Sequence, residues 1–200
     1  MYTYGMLFWV PVNIIYFAII SICGLVKKRR REYYFFAAVF CIYMNFLIDK
    51  AFFPIFTDGA EFYVSLEKYV NLDISLLFSY TPYQIIGNFL MMFPLGILLV
   101  FIINGKIQFQ ILLSVLISLM IEVVQLLMIM SLHLIDVTFD INDIILNVGG
   151  CLFGHLVFYL FCKIYIRRQD RTNTISVIEY FDKVCSNYVK RKSSLDGLRK

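Results

Sequence analysis

Five long hydrophobic stretches alternate with short polar segments along the chain. Each stretch has about 20 residues, the length that an α-helix needs to cross a hydrocarbon core of about 30 Å. The pattern therefore predicts an all-α fold, a polytopic membrane bundle with about five transmembrane helices. The predicted spans are Leu7–Val26, Tyr33–Phe56, Tyr83–Ile103, Phe109–Met130 and Ile144–Ile166.

The composition supports this interpretation. Of the 200 residues, 60% are apolar and 16% are charged, whereas a soluble domain has about 45–50% apolar and about 25% charged residues. The first hydrophobic stretch has its basic flank after it instead of before it, which predicts a retained helix and not a cleaved signal peptide.

The basic residues cluster in a way that a membrane explains. Of the 18 lysines and arginines, five form the run 27–31 and nine follow Ile166. In the loops assigned to the other side of the membrane, most of the charged residues are acidic. This is the positive-inside pattern, so the chain is predicted to be N-out and C-in. The net charge of +4 therefore does not indicate nucleic-acid binding, and no nucleic-acid partner is expected.

Two regions are expected, a transmembrane bundle over residues 1–166 and a basic cytoplasmic tail over residues 167–200. Apolar residues recur in the tail at roughly helical spacing, which predicts a helix on the cytoplasmic surface with a basic face that is compatible with anionic lipid. The outer loop Thr57–Pro82 contains apolar residues and is predicted to hold a short amphipathic element at the membrane surface.

The sequence identifies no metal ligand set, no cofactor site and no catalytic residue. The five cysteines show no CxxC spacing, and four of them lie in apolar spans, so they are interpreted as structural thiols. His133 and His155 are far apart, and the chain has no HExxH motif. The cysteines are Cys23, Cys41, Cys151, Cys162 and Cys185.

Glu122 is a carboxylate inside a hydrophobic span. Inserting an ionisable group at this depth costs a few kcal/mol, so such a residue usually faces the bundle interior and has a polar partner. Ser118 lies one turn before it and Gln125 one turn after it on the same helix face. Glu122 and Gln125 are candidate ligand-binding residues, and Ser118 is a supporting residue. The alternative is a structural carboxyl that is hydrogen-bonded to Gln125 or Asn88.

Two other spans carry polar groups at a comparable depth, Asn88 and Asn147. Asp143 lies one turn before Asn147 on the same helix face. Asn88, Glu122 and Asn147 all fall in the outer half of the membrane, so we expect them to meet, and Asp143 is expected to point into the bundle because it shares the face of Asn147. Asn88, Asp143 and Asn147 are therefore candidate ligand-binding residues. Gly150 and Gly154 continue this face with a small-xxx-small spacing that permits close helix packing.

Simpler roles remain open for several of these residues. Asp140 lies near the start of the fifth span, where a carboxylate can cap a helix and interact favourably with its dipole. Capping alone is the alternative for Asp140 and for Asn142, and Asp140 is therefore counted as a supporting residue. For Asn88 and Asn147, the alternative is a hydrogen bond between helices.

Three polar blocks follow one another along the chain. The first fits N-x5-P-x-G from Asn88, the second S-x3-E-x2-Q from Ser118, and the third D-x2-D-x3-N-x-G-G from Asp140. In order and spacing they resemble the VanZ family, over residues 71–159. Two positions depart from the pattern of many members, namely Val137 in place of an arginine and Asn142 in place of an acid.

The resemblance implies a small multi-pass protein of the bacterial cytoplasmic membrane, and the named member of the family is linked to teicoplanin resistance. The polar pocket would bind a membrane lipid, a lipid-linked envelope molecule or a lipoglycopeptide, and so lower teicoplanin susceptibility. The alternatives are a membrane enzyme with Glu122 as general acid or base, a flippase, and an assembly scaffold with membrane-protein partners. The binding hypothesis predicts loss of function in Glu122→Gln, which a scaffold would tolerate.

Overall fold

The computed structural model of the chain describes residues 6–53, 69–74, 80–103, 105, 107–132, 138–168 and 176–197. Within these ranges the protein has six helices and two short strands. The helices are α1 (Met6–Val26), α2 (Arg31–Phe52), α3 (Pro82–Ile102), α4 (Ile107–Leu132), α5 (Ile141–Arg168) and α6 (Ser176–Gly197). The strands are β1 (Val70–Asn71) and β2 (Phe139–Asp140).

Five of the described helices, α1 to α5, are long and apolar enough to cross a membrane. This confirms the predicted all-α membrane bundle and its number of spans. The second span ends at Phe52 and not at Phe56. Just before this end, Lys50 Nζ lies 3.5 Å from Asp49 Oδ2, so the two adjacent charges form an ion pair at the end of the helix.

α3 and α5 share the most extensive helix–helix contact among the described elements. Glycines allow the two backbones to touch. At Gly96, Gly150 and Gly154, an added Cβ would overlap a backbone carbonyl oxygen of the facing helix. For Gly150 that oxygen belongs to Phe89. The contact therefore has no room for any side chain at these positions.

The two ends of the bundle are built differently. At one end, which we call the strand end, β1 and β2 pair in parallel with Asn71 opposite Asp140. At the opposite end, which we call the α6 end, Tyr180, Cys185 and Tyr188 of α6 are buried against the adjoining ends of α2, α3, α4 and α5. The helix that the sequence predicts in the tail is present, and it packs into the bundle.

α1 is the span least embedded in the protein. Only 6% of its most apolar window is buried, compared with 39% for α5. One polar contact ties it to α2, because Asn45 Nδ2 donates a hydrogen bond to Asn13 Oδ1 at 2.6 Å. Most of its apolar surface therefore faces away from the other helices.

Three sequence predictions concern residues outside the described ranges. The first prediction is the amphipathic element within Thr57–Pro82, most of which lies outside these ranges. The other two concern the loop residue His133 and the family position Val137. The other histidine, His155, is buried with Nδ1 3.0 Å from the Tyr188 hydroxyl. All five cysteines are free thiols.

Candidate functional site

Glu122 lies near the strand end of α4, where only 1% of its surface is exposed. Its Oε2 accepts a hydrogen bond from the backbone N–H of Asp140 at 3.1 Å. Because Asp140 immediately precedes α5, this bond ties α4 to the start of α5. The buried carboxylate thus has a backbone donor as its partner, in place of the side chains that the sequence suggested.

Asp140 is the centre of a hydrogen-bond network. Its Oδ1 accepts the backbone N–H of Asn142 at 2.8 Å, which makes Asp140 the N-cap of α5. Its Oδ2 accepts Asn71 Nδ2 at 2.8 Å and the hydroxyl of Tyr80. Asn142 Nδ2 also donates to Asp140 Oδ1 and to the carbonyl of Asp73, each at 3.0 Å. One carboxylate therefore joins β1, the segment that leads into α3 and the start of α5.

Neutral donors balance the Asp140 carboxylate, which takes part in no ion pair among the described residues. A hydrogen bond to a charged group contributes about 1.5–3 kcal/mol, so the network stabilises the strand end. Burial, together with the hydrogen bond to Asp140, raises the pKa of Tyr80 above its ordinary value of 10.0. Tyr80 therefore remains a protonated donor at neutral pH.

Asn88 and Asp143 meet where α3 and α5 approach α2. Asn88 Nδ2 donates a hydrogen bond to Asp143 Oδ1. Both residues line a cleft of about 560 Å³ at the junction of these three helices. The cleft also has a polar rim that includes Lys50 and Gln84, and an apolar wall that includes Phe46, Leu90 and Met91.

The cleft combines opposite charges with an apolar wall. Lys50 contributes a cation and Asp143 a carboxylate, and small-ligand pockets typically have volumes of about 300–1,000 Å³. A ligand with an anionic group, hydrogen-bond donors and an apolar chain matches all three parts of the lining. The arrangement is therefore suited to an amphipathic molecule.

Gln125 and Ser118 do not take part in either arrangement. Gln125 Nε2 donates to the carbonyl of Ala51 at 2.9 Å, which links α4 to the end of α2. Ser118 is buried, and its Oγ has no hydrogen-bond partner among the described residues. Of the polar face predicted on α4, only Glu122 therefore contacts the Asp140 network.

The polar and small residues of α5 have separate positions. Asn147 is buried, and within the described ranges its Oδ1 has no hydrogen-bond partner. Gly150 and Gly154 lie in the contact with α3. The predicted pocket is thus divided into a closed network around Asp140 and an open cleft beside Asp143.

Sequence reasoning missed Asn71 and Tyr80 and did not connect Lys50 with the site. β1 has only two residues, too few for a periodic pattern to reveal it. One local signal was present, since Thr81 and Gln84 form a capping box at the start of α3, the spacing S/T-x-x-E/Q. It places Tyr80 next to Thr81, the N-cap of α3, at the same end of the bundle as the start of α5.

The described residues contain no group of three or more His, Cys, Asp or Glu side chains that could hold a metal ion. The described side chains of the network and the cleft include carboxylates, amides, tyrosine hydroxyls and the lysine Lys50. Such groups bind and orient a polar molecule by hydrogen bonds and charge.

Residues 35–162 match the model of a family described as VanZ/LLP1. The matched range covers more than half of the chain and includes most of α2, all of α3 and α4, and most of α5. It therefore extends the resemblance from the polar motifs back into α2. No curated protein and no solved structure matches the chain.

Proposed function

Since the chain is a multi-pass membrane protein of the VanZ/LLP1 family, we propose that it resides in the bacterial cytoplasmic membrane and binds a lipid-linked envelope molecule. The proposed binding site is the cleft beside Asp143, and the proposed consequence is reduced susceptibility to teicoplanin. The observation that carries the proposal is the Asn88–Asp143 pair in an amphipathic cleft that also includes Lys50.

We place the strand end on the outer side of the membrane. The basic run 27–31 lies at the turn between α1 and α2, at the α6 end. The buried acids Glu122 and Asp140 lie at the strand end. Because basic segments are retained on the cytoplasmic side, this distribution supports a cleft that opens toward the outer leaflet. Envelope molecules on that side would then reach it without crossing the membrane.

Each part of the cleft matches one part of such a ligand. Lys50 supplies the point charge that a phosphate requires. Its pairing with Asp49 at 3.5 Å is between two exposed side chains and is therefore weak enough for a phosphate to compete with it. Asp143 and Gln84 supply acceptors for hydroxyl or amide donors of a polar head. Phe46 and Leu90, which are 54% and 55% exposed, provide a surface against which an acyl or isoprenoid chain can pack.

Under this proposal Glu122 supports the site without contacting the ligand. It holds the backbone of Asp140, and Asp143 follows in the first turn of α5. The enzyme alternative requires Glu122 to reach a substrate, since a general acid or base must be within hydrogen-bond reach of the proton that it transfers. Its near-complete burial therefore favours the binding hypothesis over the enzyme hypothesis.

The test is teicoplanin susceptibility in a bacterium that expresses the wild type, Lys50→Gln or Asp143→Asn at matched membrane levels. Vancomycin, which lacks the acyl chain, serves as the comparison drug. Asp143→Asn keeps an acceptor for Asn88 while removing the charge. We expect the wild type to protect selectively against teicoplanin and both variants to lose most of that protection. A wild type that gives no protection would refute the resistance role.

Two further variants make the result specific. Lys163→Gln removes an exposed lysine of α5 that does not line the cleft, and it is expected to protect fully. Glu122→Gln keeps an oxygen that can accept the Asp140 N–H. The supporting role proposed here for Glu122 therefore replaces the loss of function expected from the sequence with the prediction that most protection is retained. Complete loss of protection in Glu122→Gln, with normal membrane levels, would instead indicate that its charge is needed, as the enzyme hypothesis requires.

A further inference from the structure

A second cavity lies at the α6 end and has a strongly cationic lining. Its volume is about 200 Å³. Its lining residues all belong to the described ranges, and they include no carboxylate. The charged residues and the buried amide that line it are Lys27, Lys28, Arg29, Arg30, Lys183 and Gln110.

The charges of this cavity are only partly balanced by neighbouring acids. Arg30 pairs with Glu179 at 3.0 Å and with Glu32 at 3.7 Å, and Arg29 lies over the ring of Tyr33. The three lysines of the lining form no ion pair within 4.0 Å among the described residues. Cations gathered around a concave surface produce a positive potential that favours an anion.

The turn after α1 holds Lys28 in a conformation that usually belongs to glycine. Its φ is 47°. The N–H of Arg29 donates to the carbonyl of Gly24 at 2.8 Å, and the N–H of Lys28 donates to that of Leu25 at 3.0 Å. This pair of bonds forms a Schellman motif, whose left-handed residue is most often glycine. A side chain at this position costs energy, and strained residues of this kind concentrate at ligand sites.

Gln110 gives an independent indication of a ligand. It is 1% exposed although it lines the cavity. Its Nε2 donates to the carbonyl of Ile103 at 2.8 Å, while its Oε1 has no hydrogen-bond partner in the described part of the chain. A buried acceptor without a donor is unfavourable. A hydroxyl would satisfy it, whereas an amine would be repelled by the surrounding cations.

We propose that the α6-end cavity binds a phosphate group that carries a free hydroxyl, as in the phosphoglycerol head of an anionic lipid. The phosphate oxygens accept from Lys28 and Lys183, and the hydroxyl donates to Gln110 Oε1. Because Lys28 belongs to the α1–α2 turn and Lys183 to α6, the bound group joins the tail helix to the bundle. The site is separate from the cleft beside Asp143 and does not depend on the function proposed for that cleft.

The test uses the full chain in lipid discs and measures its thermal unfolding temperature as the head group is varied. The discs contain phosphatidylcholine alone, or phosphatidylcholine mixed with phosphatidylglycerol or with phosphatidylmethanol, which has the same charge but no hydroxyl. A further arm adds soluble glycerol phosphate to phosphatidylcholine discs. A ligand that binds only the folded state raises the unfolding temperature. We expect phosphatidylglycerol to raise it more than phosphatidylmethanol does. A comparable rise with glycerol phosphate would identify a soluble source.

Variants distinguish a built site from general attraction to charge. Lys28→Gly relaxes the left-handed turn, so it is expected to fold at least as stably as the wild type without ligand. In Lys28→Gly and in Lys183→Gln, the apparent dissociation constant for phosphatidylglycerol is expected to rise about tenfold, as for the loss of one charge-assisted hydrogen bond. Lys163→Gln removes a cation outside the cavity and is expected to match the wild type.

Three results would overturn the proposal. The first is the absence of any rise in unfolding temperature with phosphatidylglycerol or glycerol phosphate. The second is an equal loss in Lys163→Gln and Lys28→Gly, which would show diffuse attraction to the membrane surface. The third is an equal rise with phosphatidylglycerol and phosphatidylmethanol, which would leave Gln110 without a role in recognition.

Discussion

The two ends of the bundle differ in the partners of their charged side chains, which are hydrogen-bond donors of the protein at the strand end and the open space of a cavity at the α6 end. At the strand end, the Asp140 carboxylate is surrounded by donors from Asn71, Tyr80 and Asn142. At the α6 end, cations line an open cavity and most of them form no ion pair within the described ranges. A charge with complete hydrogen bonds stabilises the fold, whereas charges around a cavity are available to a ligand. Burial of a charge alone therefore does not identify a binding site.

The largest effect is expected from Gly150→Ala, because both ends depend on the contact between α3 and α5. The new methyl group would overlap the carbonyl oxygen of Phe89, so the helices must move apart. We expect the free energy of unfolding to fall by about 3 kcal/mol, the upper part of the usual range for overpacking. Thermal unfolding in detergent measures the change.

Gly87→Ala is the matched control on α3, since no atom lies within 4 Å of a Cβ built there. Alanine has a higher helix propensity than glycine, so this variant should be at least as stable as the wild type. Wild-type stability in Gly150→Ala would show that the two helices can separate without cost.

A smaller effect, confined to the strand end, is expected from Asp140→Ala. This change removes the N-cap of α5, worth about 1 kcal/mol, and leaves the donors of Asn71 and Tyr80 unpaired, at about 1–3 kcal/mol. Both of these hydrogen bonds are only partly buried, so the cost of the unpaired donors should lie at the lower end of that range, and the total fall in the free energy of unfolding is expected to be about 2 kcal/mol. Hydrogen exchange should show that amides at the strand end lose protection first.

Thr81→Ala measures the effect of losing a helix cap without losing a hydrogen-bond network, for comparison with Asp140→Ala. It removes the side-chain cap of α3 at an exposed position, and it should cost about 1 kcal/mol. If Asp140→Ala destabilises the protein no more than Thr81→Ala does, the network around Asp140 adds nothing beyond capping, and the contrast between the two ends disappears.

The smallest effect on stability is expected from Glu179→Gln at the α6 end. Its hydrogen bond with Arg30, together with that cation's charge, lowers the pKa of Glu179 below its ordinary value of 4.5. The contribution is therefore present at neutral pH and is lost as the pH falls through the lowered pKa. The pair is exposed, and exposed pairs contribute little, so the unfolding temperature at neutral pH should remain unchanged.

The same variant releases Arg30 toward the cavity, and the affinity for phosphatidylglycerol discs should increase by about twofold. Unfolding temperatures over a series of phosphatidylglycerol contents measure both quantities. A marked destabilisation together with weaker lipid binding would mean that Glu179 and Arg30 hold the α6 end together, as the Asp140 network holds the strand end.

The helices and the family were predictable because their signals are local. A run of about 20 apolar residues identifies a span without reference to its neighbours. The three polar motifs identify the family by their order and spacing along the chain alone. The second span ends four residues earlier than predicted, at Phe52, shortly after the adjacent charges of Asp49 and Lys50. The packing of α6 was not predicted, because buried tyrosines alternate in it with many charged residues.

The detailed site was predictable only in part. The helix face that Asp143 shares with Asn147 indicated that Asp143 points into the bundle, and there it accepts the hydrogen bond of Asn88. The common depth of Asn88, Glu122 and Asn147 did not predict the partner of any of the three. Depth says nothing about the rotation of each helix about its axis. For this reason the sequence did not predict that Glu122 binds the Asp140 backbone or that Gln125 turns toward Ala51. The role of Asn71 depends on a strand pair between residues far apart in the chain.

The glycine contact between α3 and α5 also fixes how far the two helices can slide along each other. A slide of one residue along either helix would bring a larger side chain against a backbone that tolerates none, so the two helices can share only one alignment. The relative heights of Asn88 and Asp143 are therefore set inside the protein and not by the thickness of the surrounding bilayer. The side of the cleft formed by α3 and α5 is therefore expected to keep its geometry when the lipid composition, and with it the membrane thickness, changes.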